Sequence, residues 1–143
     1  MKFSCSVDID KTLNKVVDVF LNPDNLKHYQ DGFIEKRLIS GSAGKKGSKS
    51  KMIYKKLELI ETIINNDLPE EFYALYEHKH MTNTMKVSFK SLDENKTRYI
   101  SEIEYTKFNG LFIKMMAKLF PGLFKKQVQK WLNQFKSFVE TIE

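Results

Sequence analysis

The chain has 143 residues, a length that one domain fills. Hydrophobic residues make up 41% and charged residues 29%, the balance of a soluble chain with enough apolar mass for a core. The 24 basic and 18 acidic side chains leave a formal charge of +6, which permits anionic partners without demanding nucleic acid. A single cysteine, Cys5, excludes an internal disulfide and points to a reducing, cytoplasmic setting. Residues 1–20 lack the charged start, unbroken apolar run and cleavage site of a secretory leader.

Phe3, Cys5, Val7 and Ile9 alternate with Lys2, Ser4, Ser6 and Asp8, which predicts a half-buried strand. Asp10 stands where an N-cap belongs, and Leu13, Val16, Val17, Phe20 and Leu21 form one face of a helix. Asn22-Pro23 ends that helix and opens a second, short one with Leu26 and Tyr29 as its buried side. Asp31-Gly32 is a turn.

Strand signals follow over 33–40, then a flexible basic hairpin loop over 41–50, GSAGKKGSKS. Residues 51–56 and 57–65 read as two strands with no obvious break between them. Asn66-Asp67-Leu68-Pro69 is a strong turn, 71–81 and 84–92 alternate, 93–96 is another turn, and 97–108 is a last strand.

Asn109-Gly110 leads into a closing helix. From Phe124 onward, Val128, Trp131, Leu132, Phe135, Phe138, Val139 and Ile142 fall at helical spacing. Before Phe124, residues 111–123 leave little polar face beyond Lys114 and Lys118, and a helix apolar over most of its circumference should cover something on more than one side. Pro121-Gly122 should kink or interrupt it. The apolar stretch is too short, and too broken by lysine, to span a bilayer.

Strand, two helices, about six strands and one long helix make an α+β chain built on an antiparallel meander. No repeat or linker divides it, so 1–143 reads as a single domain.

This order resembles the helix-grip fold of the START-like (SRPBCC) superfamily, which includes polyketide cyclase/dehydrase and lipid-transport proteins. The resemblance covers essentially the whole chain. VDIDKTLNKVVDVFLNPDNLKHY is similar to that family's first strand and two helices, with Tyr29 where an aromatic often stands. KKGSKSKM resembles the small turn before the third strand, with Gly47 in the glycine place. NDLPEEF resembles the turn before the central strands, with Pro69 in the proline place. LFIKMMAKLFPGLFKKQVQKWLNQFKSFVE resembles the closing helix.

The resemblance implies a curved antiparallel sheet of about seven strands around the closing helix. Between the two it implies a cavity for a lipid, sterol, polyketide or other apolar molecule. Some such proteins are cyclases or dehydratases and others only carry a ligand or bind a protein partner, so the fold leaves the reaction open.

On that fold the expected wall consists of Phe112, Met115, Met116 and Leu119 from the front of the helix and Phe72, Tyr76, Met85, Tyr99, Ile103 and Tyr105 from the strands. Methionines adapt to varied apolar shapes, and tyrosine hydroxyls among aliphatics suit a ligand with one or two polar groups. The same residues would equally fill an ordinary core. A charged residue at Met116 is expected to abolish uptake with the fold intact.

His78 and His80 point the same way if 71–81 is one strand. A zinc ion needs a third ligand and none is legible, so no metal or cofactor is expected; His78 or a tyrosine could instead carry a proton. Glu102 and Glu104 alternate with apolar residues and should face water. Lys45, Lys46, Lys49 and Lys51 read as a solvated hairpin tip. Joined by Lys114, Lys118, Lys125 and Lys126, they would make a basic rim suited to transient membrane contact. No nucleic-acid motif is present, and no nucleic-acid partner is expected. The expected function is binding or transport of a small hydrophobic or amphipathic ligand. The alternatives are a cyclase/dehydratase-type enzyme and a partner-binding module, the chain being a monomer or homodimer.

Overall fold

The computed structural model describes residues 1–143. Strands β1 (Lys2–Ile9), β2 (Phe33–Ser40), β3 (Lys49–Tyr54), β4 (Glu58–Asp67), β5 (Glu71–His78), β6 (Met81–Asp93) and β7 (Lys96–Phe108) form one curved antiparallel sheet. Its order is β1-β7-β6-β5-β4-β3-β2. From β2 to β7 each strand pairs with its neighbour in sequence, and β1 returns against β7 with Phe3 opposite Ile103 and Cys5 opposite Ser101. Alternation assigns the faces. Phe72, Ala74, Val87, Phe89, Tyr99 and Ile103 are buried inward, whereas Lys86, Lys90, Glu102 and Glu104 are exposed on the outer side.

Helix α1 (Leu13–Leu21) is capped by Thr12, not Asp10. Thr12 has extended backbone angles directly before Leu13, and its Oγ1 accepts from the Lys15 N–H at 3.3 Å. Asp10 instead donates its backbone N–H to Glu140 Oε2 at 2.8 Å. Asn22 Oδ1 accepts from the Asp24 N–H at 3.0 Å and starts a 3-10 turn, Pro23–Asn25, that runs into α2 (Leu26–Tyr29). Leu26 and Tyr29 are buried.

The β3–β4 break that the sequence hides lies at 55–57, where the Tyr54 N–H donates to Leu57 O at 2.9 Å. In the β2–β3 loop Gly41 has φ 81°, and a Cβ there would sit 2.9 Å from Ser48 Cα, so only glycine fits.

The closing segment is two helices, α3 (Leu111–Leu119) and α4 (Gly122–Glu140). Phe120, at φ −132° and ψ 55°, leaves helical geometry, and Pro121 has no N–H to continue it. On α4, Val128, Leu132, Phe135 and Val139 are buried at helical spacing, each worth about 1.5–3 kcal/mol relative to exposure. Phe135 joins Phe20, Phe72, Phe89 and Tyr99 in an aromatic cluster with ring centroids 4.9 to 6.1 Å apart.

Helix α3 does not behave as its apolar composition suggests. None of its residues is buried, and Leu111 and Phe112 are 86% and 70% exposed. The break after Leu119 separates α3 from α4. Its start is tied to the β5–β6 turn, where the Asn109 N–H donates to His80 O at 2.7 Å.

Candidate functional site

Between the concave sheet face and α4 lies a cavity of about 740 Å³. Pockets that enclose small molecules run to roughly 300–1,000 Å³. Of its 36 lining residues 22 are hydrophobic, so most of an occupant's surface would meet apolar groups.

Phe72 and Tyr76 on β5, Met85 on β6, and Tyr99, Ile103 and Tyr105 on β7 all line this cavity. The opposite wall is Val128, Trp131, Leu132 and Phe135 of α4, with Phe20, Leu26 and Tyr29 from the first two helices. Phe112, Met115, Met116 and Leu119 are not among the lining residues. Phe112, Met115 and Leu119 are exposed on α3, and Met116 is half-buried. The helix wall thus comes from α4, beyond the break.

One register across the sheet is polar. Tyr105 stands opposite Asn83, Asn83 opposite Tyr76, Tyr76 opposite Glu61, and Glu61 opposite Ser50. All five line the cavity. The next register inward, Ile103, Met85, Ala74 and Ile63, is apolar.

Glu61 is only 4% exposed. Its Oε2 accepts from the Tyr76 hydroxyl at 2.7 Å, and its Oε1 lies 2.8 Å from Lys36 Nζ. The second contact is a close ion pair that balances the buried carboxylate's charge. Burial, then the Glu61 charge and hydrogen bond, hold the Tyr76 phenol well above its ordinary pKa, so it stays a donor. Burial raises Tyr99 as well, and burial with the Glu61 charge raises Tyr54. Tyr54 donates to Gln30 Oε1 at 2.7 Å. Ser101 belongs to the same wall, but it is fully buried and its Oγ has no protein partner. The site therefore sets a hydrogen-bonded phenol–carboxylate pair, balanced by a lysine, among apolar walls.

Glu61, Lys36, Ser50 and Asn83 escaped the sequence reading. A signal for Glu61 exists, since it shares the parity of Leu59 and Ile63, but both faces of that strand carry apolar residues and the inward phase is not legible.

His78 and His80 are not two apart on one strand, because β5 ends at His78. Their ring centroids are 5.5 Å apart, and His78 Nδ1 accepts the His80 backbone N–H at 3.2 Å. No group of three His, Cys, Asp or Glu side chains gathers anywhere in the molecule, so the pair offers a metal at most two ligands. Partial burial lowers the His78 pKa, and the neighbouring His80 and Lys79 add to this.

The lysines of the β2–β3 loop and those of α3 form no common rim. The loop packs beside Asn66, whose Nδ2 donates to Gly44 O at 2.7 Å, whereas α3 starts beside the turn reached from His78, which pairs with Leu59. The seven residue steps from Leu59 to Asn66 correspond to roughly 23 Å of strand.

No protein-family model matches the sequence, and no curated protein sequence matches it. Likeness is found among solved structures. A conserved protein from Geobacillus kaustophilus matches with a TM-score of 0.75 and 12% identity, over 99% of this chain and 96% of that one. The di-domain ARO/CYC StfQ of the steffimycin biosynthetic pathway matches with a TM-score of 0.75 and 10% identity, over 96% of this chain and 45% of that one. A START superfamily protein from Mycobacterium smegmatis matches with a TM-score of 0.73 and 10% identity, over 99% of each chain. Identities this low speak for fold alone. In strand order, short helices and closing helix, the chain has the helix-grip fold of the START-like superfamily.

Proposed function

We propose that residues 1–143 act as one ligand-binding unit that takes up a small amphipathic molecule between the sheet and α4. The observation that carries this reading is an apolar cavity of about 740 Å³ crossed by one polar register. Apolar surface taken from water contributes about 25 cal/mol per Å². A wholly apolar occupant would lie against the polar side chains of that register, Asn83 and Tyr105 among them, without matching them. A molecule with one or two polar groups on an apolar body satisfies both demands.

A second reading, a cyclase/dehydratase-type enzyme, draws support from the chain Tyr76–Glu61–Lys36. A phenol donor and a carboxylate acceptor side by side in an apolar wall can hold and move a proton on a bound molecule.

Fluorescence titration with anilinonaphthalene sulfonate, and competition by long-chain alcohols and fatty acids, tests the binding reading. Saturable one-to-one binding is expected. Met85→Trp, which fills the cavity from β6, should weaken it at least tenfold in a folded protein. Equal binding by both proteins would overturn the assignment. Mass spectrometry of recovered competitors separates the two readings, since a carrier returns them unchanged.

A further inference from the structure

We infer that α3, with the turns beside it, docks onto an anionic lipid bilayer. Leu111, Phe112, Met115 and Leu119 are exposed, and Phe120 and Leu123 extend the surface into the break. At roughly 3.6 residues per turn the four α3 residues fall on one side of the helix, with Lys114 and Lys118 together on its flank. Soluble proteins rarely leave such a cluster in water unless it meets a partner.

Charge selects the partner. Between Glu104 and Glu140 the chain carries no acidic residue. Lys130 and Lys136 are held in ion pairs with Asp31 and Glu140. Lys107, Lys114, Lys118, Lys125 and Lys126 are in none. A bilayer surface with anionic headgroups accepts both features, the apolar side chains entering the acyl boundary and the ammonium groups meeting phosphates. A second copy of the chain would set these lysines against their own like charges. The mode is interfacial, because no helix is long and apolar enough to cross a membrane.

Position supports the same partner. The β3–β4 turn, with Lys55, Lys56 and Leu57, lies at the end of the sheet from which α3 departs, since Leu59 pairs with His78. These three exposed residues also line the cavity, so one of its openings lies at the docking end, while the exposed Ala43 and Gly44 line it at the other. Docking itself needs no occupant in the cavity and stands apart from the ligand-binding proposal.

Co-sedimentation of the full chain with vesicles of phosphatidylcholine, alone or mixed with phosphatidylglycerol, tests the inference. Binding to mixed vesicles should be at least tenfold tighter than to neutral ones and should weaken with salt. Phe112→Glu with Leu119→Glu, and separately Lys114→Glu with Lys118→Glu, should each lower it at least tenfold with unchanged circular dichroism. Lys45→Glu with Lys46→Glu, removing the same charge at the other end of the sheet, should leave it within about twofold. A tryptophan placed by Phe112→Trp should be quenched by brominated lipid. No binding to mixed vesicles, an equal loss in the Lys45/Lys46 pair, or an unquenched tryptophan would overturn docking through α3. So would a soluble dimer that the Phe112/Leu119 variant dissolves, because the face would then belong to a second copy.

Discussion

Tyr76 and Glu61 face each other across the β4–β5 ladder, and the phenol donates to the carboxylate at 2.7 Å inside the cavity wall. Lys36 approaches the other carboxylate oxygen from β2 at 2.8 Å. Three strands thus contribute one charge-balanced group to a wall that is otherwise mostly apolar. A carboxylate this deeply buried is tolerated only while it is paired and hydrogen-bonded.

Removing Lys36 should therefore cost more than removing Glu61 and Lys36 together. Breaking a buried pair costs roughly 3–5 kcal/mol, and the low end applies here because the Lys36 side chain is 25% exposed. Urea unfolding of Lys36→Met is expected to show a loss of about 3 kcal/mol. Adding Glu61→Gln should restore most of it. A Lys36→Met protein as stable as the parent would show that the pair contributes nothing to the fold.

The buried phenols set the alkaline limit. Tyr29, Tyr54, Tyr76 and Tyr99 all have folded-state pKa values raised above the ordinary value near 10, with desolvation as the leading cause. A raised value means that the folded protein holds the proton more tightly than the unfolded chain. The stabilisation is complete below about pH 10 and is lost as pH rises through the folded values. Ultraviolet titration should find these four phenols ionising together with the loss of circular dichroism. Ionisation of all of them in a protein that stays folded would contradict their burial.

Met116 and Met85 should differ in their effect on binding. Met85 lines the cavity, whereas Met116 sits on α3 outside it. Met116→Glu is expected to leave dye binding within about twofold, while Met85→Trp weakens it at least tenfold. The reverse order would move the site to α3.

The β2–β3 loop depends on Gly41. At φ 81°, with Ser48 Cα 2.9 Å from a would-be Cβ, alanine suffers both backbone strain and a clash with main chain that cannot swing aside. Gly41→Ala should cost about 1–3 kcal/mol in denaturant unfolding. The cavity should still bind, because Gly41 is not in its wall. An unchanged midpoint would mean that the loop relaxes freely.

Much of the fold was legible because its signals are local. Alternation marks β1 and β5 to β7, Asp31-Gly32 marks a turn, Asn66 to Pro69 marks another although β4 runs on to Asp67 before it, and the spacing of Val128, Leu132, Phe135 and Val139 marks α4. Phe72, Tyr76, Met85, Tyr99, Ile103 and Tyr105 share the inward parity of their strands, and the fold brings them into one wall. The polar register was not legible, because it exists only once Ser50, Glu61, Tyr76, Asn83 and Tyr105 are paired across five strands, and cross-strand register is a tertiary property. The exposure of α3 was hidden for a related reason. Composition says that Phe112 and Leu119 are apolar, but only the break at Phe120 decides that nothing in the chain covers them.

The central claim is that the space between the sheet and α4 is where a small amphipathic molecule is held. Methyl NMR of protein labelled at methionine and isoleucine, titrated with anilinonaphthalene sulfonate, tests it most directly. Saturable shifts are expected at Met52, Ile63, Met85 and Ile103, which line the cavity. Shifts confined to Ile113, Met115 and Met116 of α3, with the cavity methyls unmoved, would contradict it.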